Sequence, residues 1–265
     1  MEKLVTQEQR ADFLIRWLLN EREEYENLEI PVSSAEKRRL LRSLMNVRPP
    51  IPADEEFLNI QDAYLQERLA ERGVTRIEDL SPVRPGLYLW QGDITTLAAD
   101  AIVNAANSQM LGCFVPCHGC IDNAIHSAAG IQLRNECAEL MEAQGREEPV
   151  GKAKITGGYN LPAKHVIHTV GPIVGMQVTR QQEEELRSCY LKCLRLAEKN
   201  QLSSIAFCCI STGEFHFPNK LAAKIAVENV DKYLMKSGIK RVIFNVFKDE
   251  DYHLYTKKFL GTGDF

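Results

Sequence analysis

Residues 101–107, Ala101-Ile102-Val103-Asn104-Ala105-Ala106-Asn107, pass from a short apolar run directly into a polar loop. Four other apolar runs surround it: Leu87–Trp90, His165–Val170, Ile205–Ile210 and Arg241–Val246. Stretches of helical periodicity at about 120–143, 181–200 and 219–236 separate them. Short apolar runs alternating with helices predict an α/β layered fold with helices on both faces of the sheet. In such folds ligands bind beyond the carboxyl ends of the strands, where loops lead into helices. Two of those loops stand out, Asn104 to Asp122 and Ser211 to Pro218.

Upstream the pattern changes. Phe13, Leu14, Trp17 and Leu18 recur at helical spacing, and so do Leu40, Leu41 and Leu44. Ser33 or Ser34 can cap the second helix, and a third runs from Asp54 to a stop at Gly73. Arg48-Pro49-Pro50-Ile51-Pro52 interrupts these helices, and Ser81-Pro82-Val83-Arg84-Pro85-Gly86 ends them. The division expected is a helical region over 1–85 and a second domain over 86–265.

The chain has 265 residues, 45% hydrophobic and 26% charged, with a net charge of −4. It can bury a full core. The acidic balance argues against a dedicated nucleic-acid binder, which needs surplus Lys and Arg. The Met1-Glu2-Lys3-Leu4-Val5 start has no basic leader, and no stretch is long enough to span a bilayer. A cytoplasmic, monomeric protein with no membrane partner is expected. All eight cysteines fall between Cys113 and Cys209, which suggests reduced thiols or metal ligands. Cys137, Cys189, Cys193, Cys208 and Cys209 read as core thiols, and His126, His165 and His168 as packing or surface residues.

Three ordered motifs carry a more specific reading. They are Gly92-Asp93-Ile94-Thr95, the 101–107 segment, and Ser211-Thr212-Gly213-Glu214-Phe215-His216-Phe217-Pro218, with Thr169-Val170-Gly171-Pro172 between them. From about Gly86 onward the chain resembles the macrodomain family. That resemblance implies a three-layer α/β/α fold with a mixed sheet and an ADP-ribose site. By the family's pattern Asp93 accepts from the adenine amino group and the Ile94 amide meets a ring nitrogen. Ser211, Thr212, Gly213, Glu214, Phe215 and His216 surround the diphosphate, while Ile121, Asp122 and Asn107 attend the distal ribose. Asn104 more naturally braces the loop. Each motif alone has a plainer reading: Gly-Asp suits a turn, a glycine turn needs no ligand, and asparagines cap turns. Phe215, His216 and Phe217 compete for the aromatic place beside the ribose.

Where most macrodomains carry a glycine-rich run, this chain has Cys113-Phe114-Val115-Pro116-Cys117-His118-Gly119-Cys120. Three cysteines and a histidine within eight residues form the soft donor set that zinc prefers. Cys117 and His118 are neighbours, and neighbouring side chains of an extended loop diverge. Cys113, His118 and Cys120 are therefore the expected ligands of one Zn²⁺, with Cys117 the runner-up and a fourth position open for water or substrate. A zinc that only staples the loop, or Cys-x-x-Cys thiol exchange by Cys117 and Cys120, would use the same residues. The insertion resembles the zinc-dependent, protein-ADP-ribose hydrolase branch of the family.

The implied activity is glycosidase-type removal of mono-ADP-ribose from a modified protein, at the bond to the distal ribose. Asp122 and Asn107 are the expected catalytic residues, Asp122 positioning or deprotonating water unless it serves only as a helix cap. Zinc-type relatives imply a lipoyl carrier protein modified by a sirtuin-like ADP-ribosyltransferase as partner. A reader that binds ADP-ribose without cleavage, and an O-acetyl-ADP-ribose deacetylase, would use the same pocket.

Overall fold

The apolar runs become strands because a parallel strand buried on both faces must be apolar along its length. The computed structural model describes residues 6–25 and 27–261; the Met1–Val5 start lies outside the described residues. In chain order the strands are β1 (Thr75–Arg76), β2 (Pro82–Arg84), β3 (Leu87–Gln91), β4 (Leu97–Ala98), β5 (Ala101–Ala106), β6 (Ala153–Gly157), β7 (His165–Val170), β8 (Ser204–Phe207) and β9 (Arg241–Val246). The helices are α1 (Gln7–Asn20), α2 (Ser34–Val47), α3 (Glu55–Arg72), α4 (Ile121–Ala129), α5 (Ile131–Gln144), α6 (Arg180–Lys199), α7 (Asn219–Leu234) and α8 (Asp249–Leu260).

Seven strands form one sheet in the order β2-β3-β9-β8-β5-β7-β6. Its inner pairs are parallel, and both edge pairs, β2 with β3 and β6 with β7, are antiparallel, so the sheet is mixed. The main core packs Ile102, Val103, Ile167, Ile205 and Phe244 of the strands against Leu133, Tyr190, Ala226 and Phe259 of the helices. At the foot of β5, Asp100 ties neighbouring segments together. Its carboxylate accepts from the Ser203 amide at 2.9 Å, the Ser204 amide at 3.0 Å and Lys164 Nζ at 2.7 Å.

Three local expectations change. The helix expected over 120–143 is two, broken at Gly130, whose φ of 96° suits glycine and ends α4. A Cβ there would also meet Gln61 Nε2 at 2.7 Å. The strand expected over Ile205–Ile210 stops at Phe207, because the chain then turns and the Cys209 carbonyl accepts from the Thr212 hydroxyl at 3.0 Å. The region before residue 85 is helical only as far as Arg72. β1 pairs with β4, Ile77 enters the main core and β2 forms the sheet's edge.

Helices α1, α2 and α3 keep their expected places. Ser33 caps α2, Asp54 caps α3 and Gly73 ends it. They enclose a second core of Leu14, Ile15, Leu18, Leu41 and Phe57, joined by Ile131 from α5. Gln61, fully buried, accepts from the Ile131 amide at 3.0 Å and so satisfies the start of α5 from a helix 70 residues away in sequence.

Candidate active site

At the carboxyl end of β3 the chain makes a single turn of 3₁₀ helix over Ile94–Thr96. Asp93 caps that turn: its Oδ1 accepts from the Thr95 amide at 2.9 Å and the Thr95 hydroxyl at 2.7 Å. Its Oδ2 accepts from Arg72 of α3 at 2.9 Å. Capping and an open, acceptor-bearing carboxylate thus coexist at one residue, while the Ile94 side chain is buried in the core.

Beyond β8, Ser211 and His216 both take left-handed backbone angles, φ 65° and 54°. The loop closes on itself through Phe217 N to Ser211 O at 2.9 Å and His216 N to Gly213 O at 3.0 Å. The amides of Gly213, Glu214 and Phe215 are left with no backbone partner among the described residues. Successive unpaired amides on a loop with exposed Gly213 make an anion-binding concavity. Gly171, from the motif after β7, permits this packing, since a Cβ there would lie 2.0 Å from Ser211 Oγ. Phe217 is buried in the main core, whereas Phe215 is half-buried and His216 exposed.

The two asparagines that follow Val103 divide their tasks. Asn104, fully buried in β5, donates to Asp122 Oδ1 at 2.7 Å and stands 3.1 Å from His168 Nδ1. Asn107 accepts from the Gln109 and Met110 amides at 3.0 and 3.1 Å and donates to the Gly112 carbonyl at 3.1 Å, so it shapes the loop. Burial pushes the Asp122 carboxyl up to about 6, against the Asn104 hydrogen bond and the Arg134 charge. Ile121 starts α4 directly ahead of it.

Behind Asp122 lies a buried group the motifs did not single out. His126 Nε2 is 3.5 Å from Asp122 Oδ1, and His168 Nε2 is 2.9 Å from the Thr156 hydroxyl and 3.8 Å from Cys137 Sγ. Burial holds both imidazoles well below their ordinary range, so both are neutral at pH 7. The ring of His126 also packs on Gly112, where a Cβ would come within 2.8 Å.

The cysteine-rich loop brings three of its four donors together. The ligand atoms of Cys113, His118 and Cys120 lie within 4.8 Å of one another, and Cys113 Sγ is 3.7 Å from His118 Nδ1. Cys120 caps α4, accepting from the Asn123 amide at 3.4 Å. Burial first, then the neighbouring Cys113, pushes the Cys120 thiol up to about 12. Two adjacent sulfurs resist a shared negative charge unless a cation lies between them. Cys117 turns the other way. Its φ is 52°, and its sulfur meets Ser43 Oγ at 3.2 Å and the Arg39 carbonyl at 3.4 Å, both on α2. His118 Nε2 stands 3.6 Å from Glu214 Oε1, so the cysteine loop and the glycine loop face each other across the strand ends.

A mixed sheet between helices thus carries at the carboxyl ends of its strands a half-exposed carboxylate, a loop of unpaired backbone amides and a trio of soft donors. The chain belongs to the macro domain family, whose model matches residues 103–226. It is 52% identical to a protein-ADP-ribose hydrolase of Treponema medium over 96% of this chain and 99% of that one. It is 49% identical to a protein-ADP-ribose hydrolase of Staphylococcus aureus, over 98% of each. Likeness of that extent places it among the family's hydrolytic enzymes. Of solved structures, the Trypanosoma brucei macrodomain in complex with ADP-ribose matches with a TM-score of 0.64 and 33% identity, over 82% of this chain and 94% of that one. The Oceanobacillus iheyensis macrodomain with ADP matches with a TM-score of 0.63 and 38% identity, over 69% and 94%.

Sequence reasoning missed the residues that hold these loops from outside. Arg72 holds Asp93, and Arg42 donates to the His118 carbonyl at 3.1 Å. Arg134 donates to the carbonyls of Leu111 at 2.7 Å, Met45 at 3.0 Å and Arg48 at 2.5 Å, with its guanidinium 4.3 Å from the Phe114 ring centroid. An arginine on an amphipathic helix reads as a solvated face, and nothing in the local sequence marks these three.

Among the described residues no helix is long and apolar enough to cross a membrane.

Proposed function

We propose that the protein removes ADP-ribose from modified proteins by hydrolysing the bond between the distal ribose and a side chain, with one zinc ion held by Cys113, His118 and Cys120. The observation that carries this reading is the convergence of those three soft donors opposite the Gly213 loop. Their spacing suits the ion: tetrahedral zinc with ordinary Zn–S and Zn–N bonds separates sulfur from nitrogen by roughly 3.5 Å, and Cys113 to His118 is 3.7 Å. Bound there, zinc supplies Lewis acidity toward a ribose or water oxygen. With Nδ1 as the ligand atom of His118, Glu214 stands 3.6 Å from Nε2, where its charge favours that orientation of the ring. Asp122 takes a proton from water, held in place by Asn104. Asp93 and the Ile94 amide hold adenine, the Gly213, Glu214 and Phe215 amides hold the diphosphate, and remote binding fixes the reacting carbon. Asn107 acts through the loop it shapes.

The substrate class is a mono-ADP-ribosylated protein, consistent with relatives that are protein-ADP-ribose hydrolases. The lipoyl carrier protein remains our proposed example. We also read the chain as two units, an N-terminal helical one and the macrodomain.

The test is release of ADP-ribose from a mono-ADP-ribosylated acceptor by the zinc-loaded protein. Cys120→Ala should lower turnover on the order of 10³-fold, the scale of losing a metal's transition-state stabilisation, and leave ADP-ribose binding intact. Asp93→Ala should weaken that binding about tenfold, one hydrogen bond to a charged acceptor. Full activity after chelation would remove zinc from the reading. Binding without release by the parent would make the protein a reader.

A further inference from the structure

The donors of the cysteine loop converge although the loop itself is short of internal hydrogen bonds. A single internal backbone bond, His118 N to Val115 O at 3.2 Å, lies within 113–120 among the described residues. What fixes its path is a two-residue hub. Asn123, fully buried in α4, donates through Nδ2 to the Val115 carbonyl at 2.9 Å and the Cys113 carbonyl at 3.5 Å, and its amide reaches Cys120 Sγ. Arg42, on α2, donates to Asn123 Oδ1 from Nε at 3.2 Å and from Nη2 at 2.6 Å, and from Nη2 to the His118 carbonyl at 3.1 Å. Between them, the two side chains touch the backbone at 113, 115 and 118, and the Asn123 amide meets the sulfur at 120. Asn46 of α2 accepts from the Cys117 amide at 2.9 Å, holding the outward-turned part of the loop.

We propose that Arg42 is a positioning residue for the metal loop, a template reaching from the N-terminal helices that brings Cys113, His118 and Cys120 together before an ion arrives; the metal part of this rests on the reading above. The guanidinium suits the task because one rigid fork serves a carbonyl and a carboxamide oxygen at once. A lysine at this place reaches one of them with a freely rotating ammonium. Fixing Asn123 Oδ1 also orients its Nδ2, so the arginine acts on 113 and 115 through a residue that it does not share with the pocket. Pre-ordering the loop lowers the entropy lost on binding an ion, and the release rate should show it.

The experiment uses the full chain as wild type, Arg42→Ala, Arg42→Gln and Arg42→Lys. Hydrogen exchange of metal-free protein reads the loop directly. Arg42→Ala and Arg42→Gln should exchange the Cys117 and His118 amides, which donate to Asn46 and to the Val115 carbonyl, about tenfold faster, while β5 and β7 amides stay as in wild type. Zinc alone, followed by transfer to a chromophoric chelator, should leave Arg42→Ala 10–100-fold faster, the range seen when outer-shell partners of a metal site are removed. Arg42→Lys should fall between, and ADP-ribose affinity should stay within about twofold in all four. Loop exchange and zinc release equal to wild type would overturn the proposal. So would faster exchange spread evenly over the sheet, because that marks a general loss of stability. Wild-type protein that takes up no zinc would overturn the metal reading, and the exchange of the metal-free loop would still decide the role of Arg42.

Discussion

The glycine loop and the cysteine loop face each other across 3.6 Å, between Glu214 and His118, yet they are held in opposite ways. The glycine loop is held by backbone: its closing bonds run Phe217 to Ser211 and His216 to Gly213, the Val174 amide donates to the Phe215 carbonyl at 2.8 Å, and Phe217 anchors it in the main core. The cysteine loop is held by side chains, and those of Arg42, Ser43 and Asn46 belong to α2, more than 70 residues earlier in the chain. The contrast teaches that the glycine loop is held by the α/β fold itself, whereas the cysteine loop is held in large part by side chains of α2.

Breaking the outside support should have the largest effect. Arg134→Ala leaves the Leu111, Met45 and Arg48 carbonyls without their buried donor, each costing about 1–3 kcal/mol. A loss of about 4 kcal/mol is expected, which lowers Tm by roughly 10 °C in a chain of this size. Calorimetry with and without zinc should show that the variant gains less from the metal than wild type does. An unchanged Tm would mean that the two units do not depend on this arginine.

Loosening the sheet beneath both loops sharpens the contrast, since it should not discriminate between them. Burial works against ionisation of Asp100, but hydrogen bonds from Lys164, Ser203 and Ser204 outweigh it and hold the carboxyl well below the usual range. A depressed folded-state value contributes stability above the unfolded value near pH 4 and loses it as pH falls through the folded one. Asp100→Asn should therefore cost about 1–3 kcal/mol at pH 7, with the gap narrowing below about pH 4. Urea unfolding at pH 7, 5 and 3.5 checks the sign. Zinc release and ADP-ribose affinity should respond alike.

The smallest effect should come from the cysteine that faces away. Cys117→Ser keeps a hydroxyl near Ser43 and the Arg39 carbonyl, and zinc stoichiometry and turnover should stay within about twofold of wild type. Loss of the metal in this variant would transfer the ligand role from Cys113 to Cys117.

These regions also differ in how far they could be read from sequence. The parallel strands β3, β5, β7, β8 and β9 fall on apolar runs, and all but β9 lead into a loop with a quoted motif, so the sheet and the loops at its carboxyl edge were legible. β6 was not, because Ala153-Lys154-Ile155-Thr156-Gly157 alternates as an edge strand and reads as loop beside glycine. α8 was missed since few apolar residues, chiefly Tyr255 and Phe259, face the core. Adjacency of Cys117 and His118 argued only against both as ligands and left Cys117 as runner-up to Cys113; the structure turns Cys117 onto α2. Arg42 and Arg134 were invisible, as their partners are distant in sequence and their type on a helix suggests solvent.

Arg42 and Asn123 are 81 positions apart, and the hub that they form has a consequence for the order of assembly. A contact of that separation closes only after the intervening chain has been gathered, so it belongs to the late part of folding. During synthesis α2 emerges first and waits, with its polar face unmatched, until α4 and the sheet behind it exist. The cysteine loop completes its described contacts only once α2 and α4 have met, so ordering of residues 113–120 marks that moment in folding.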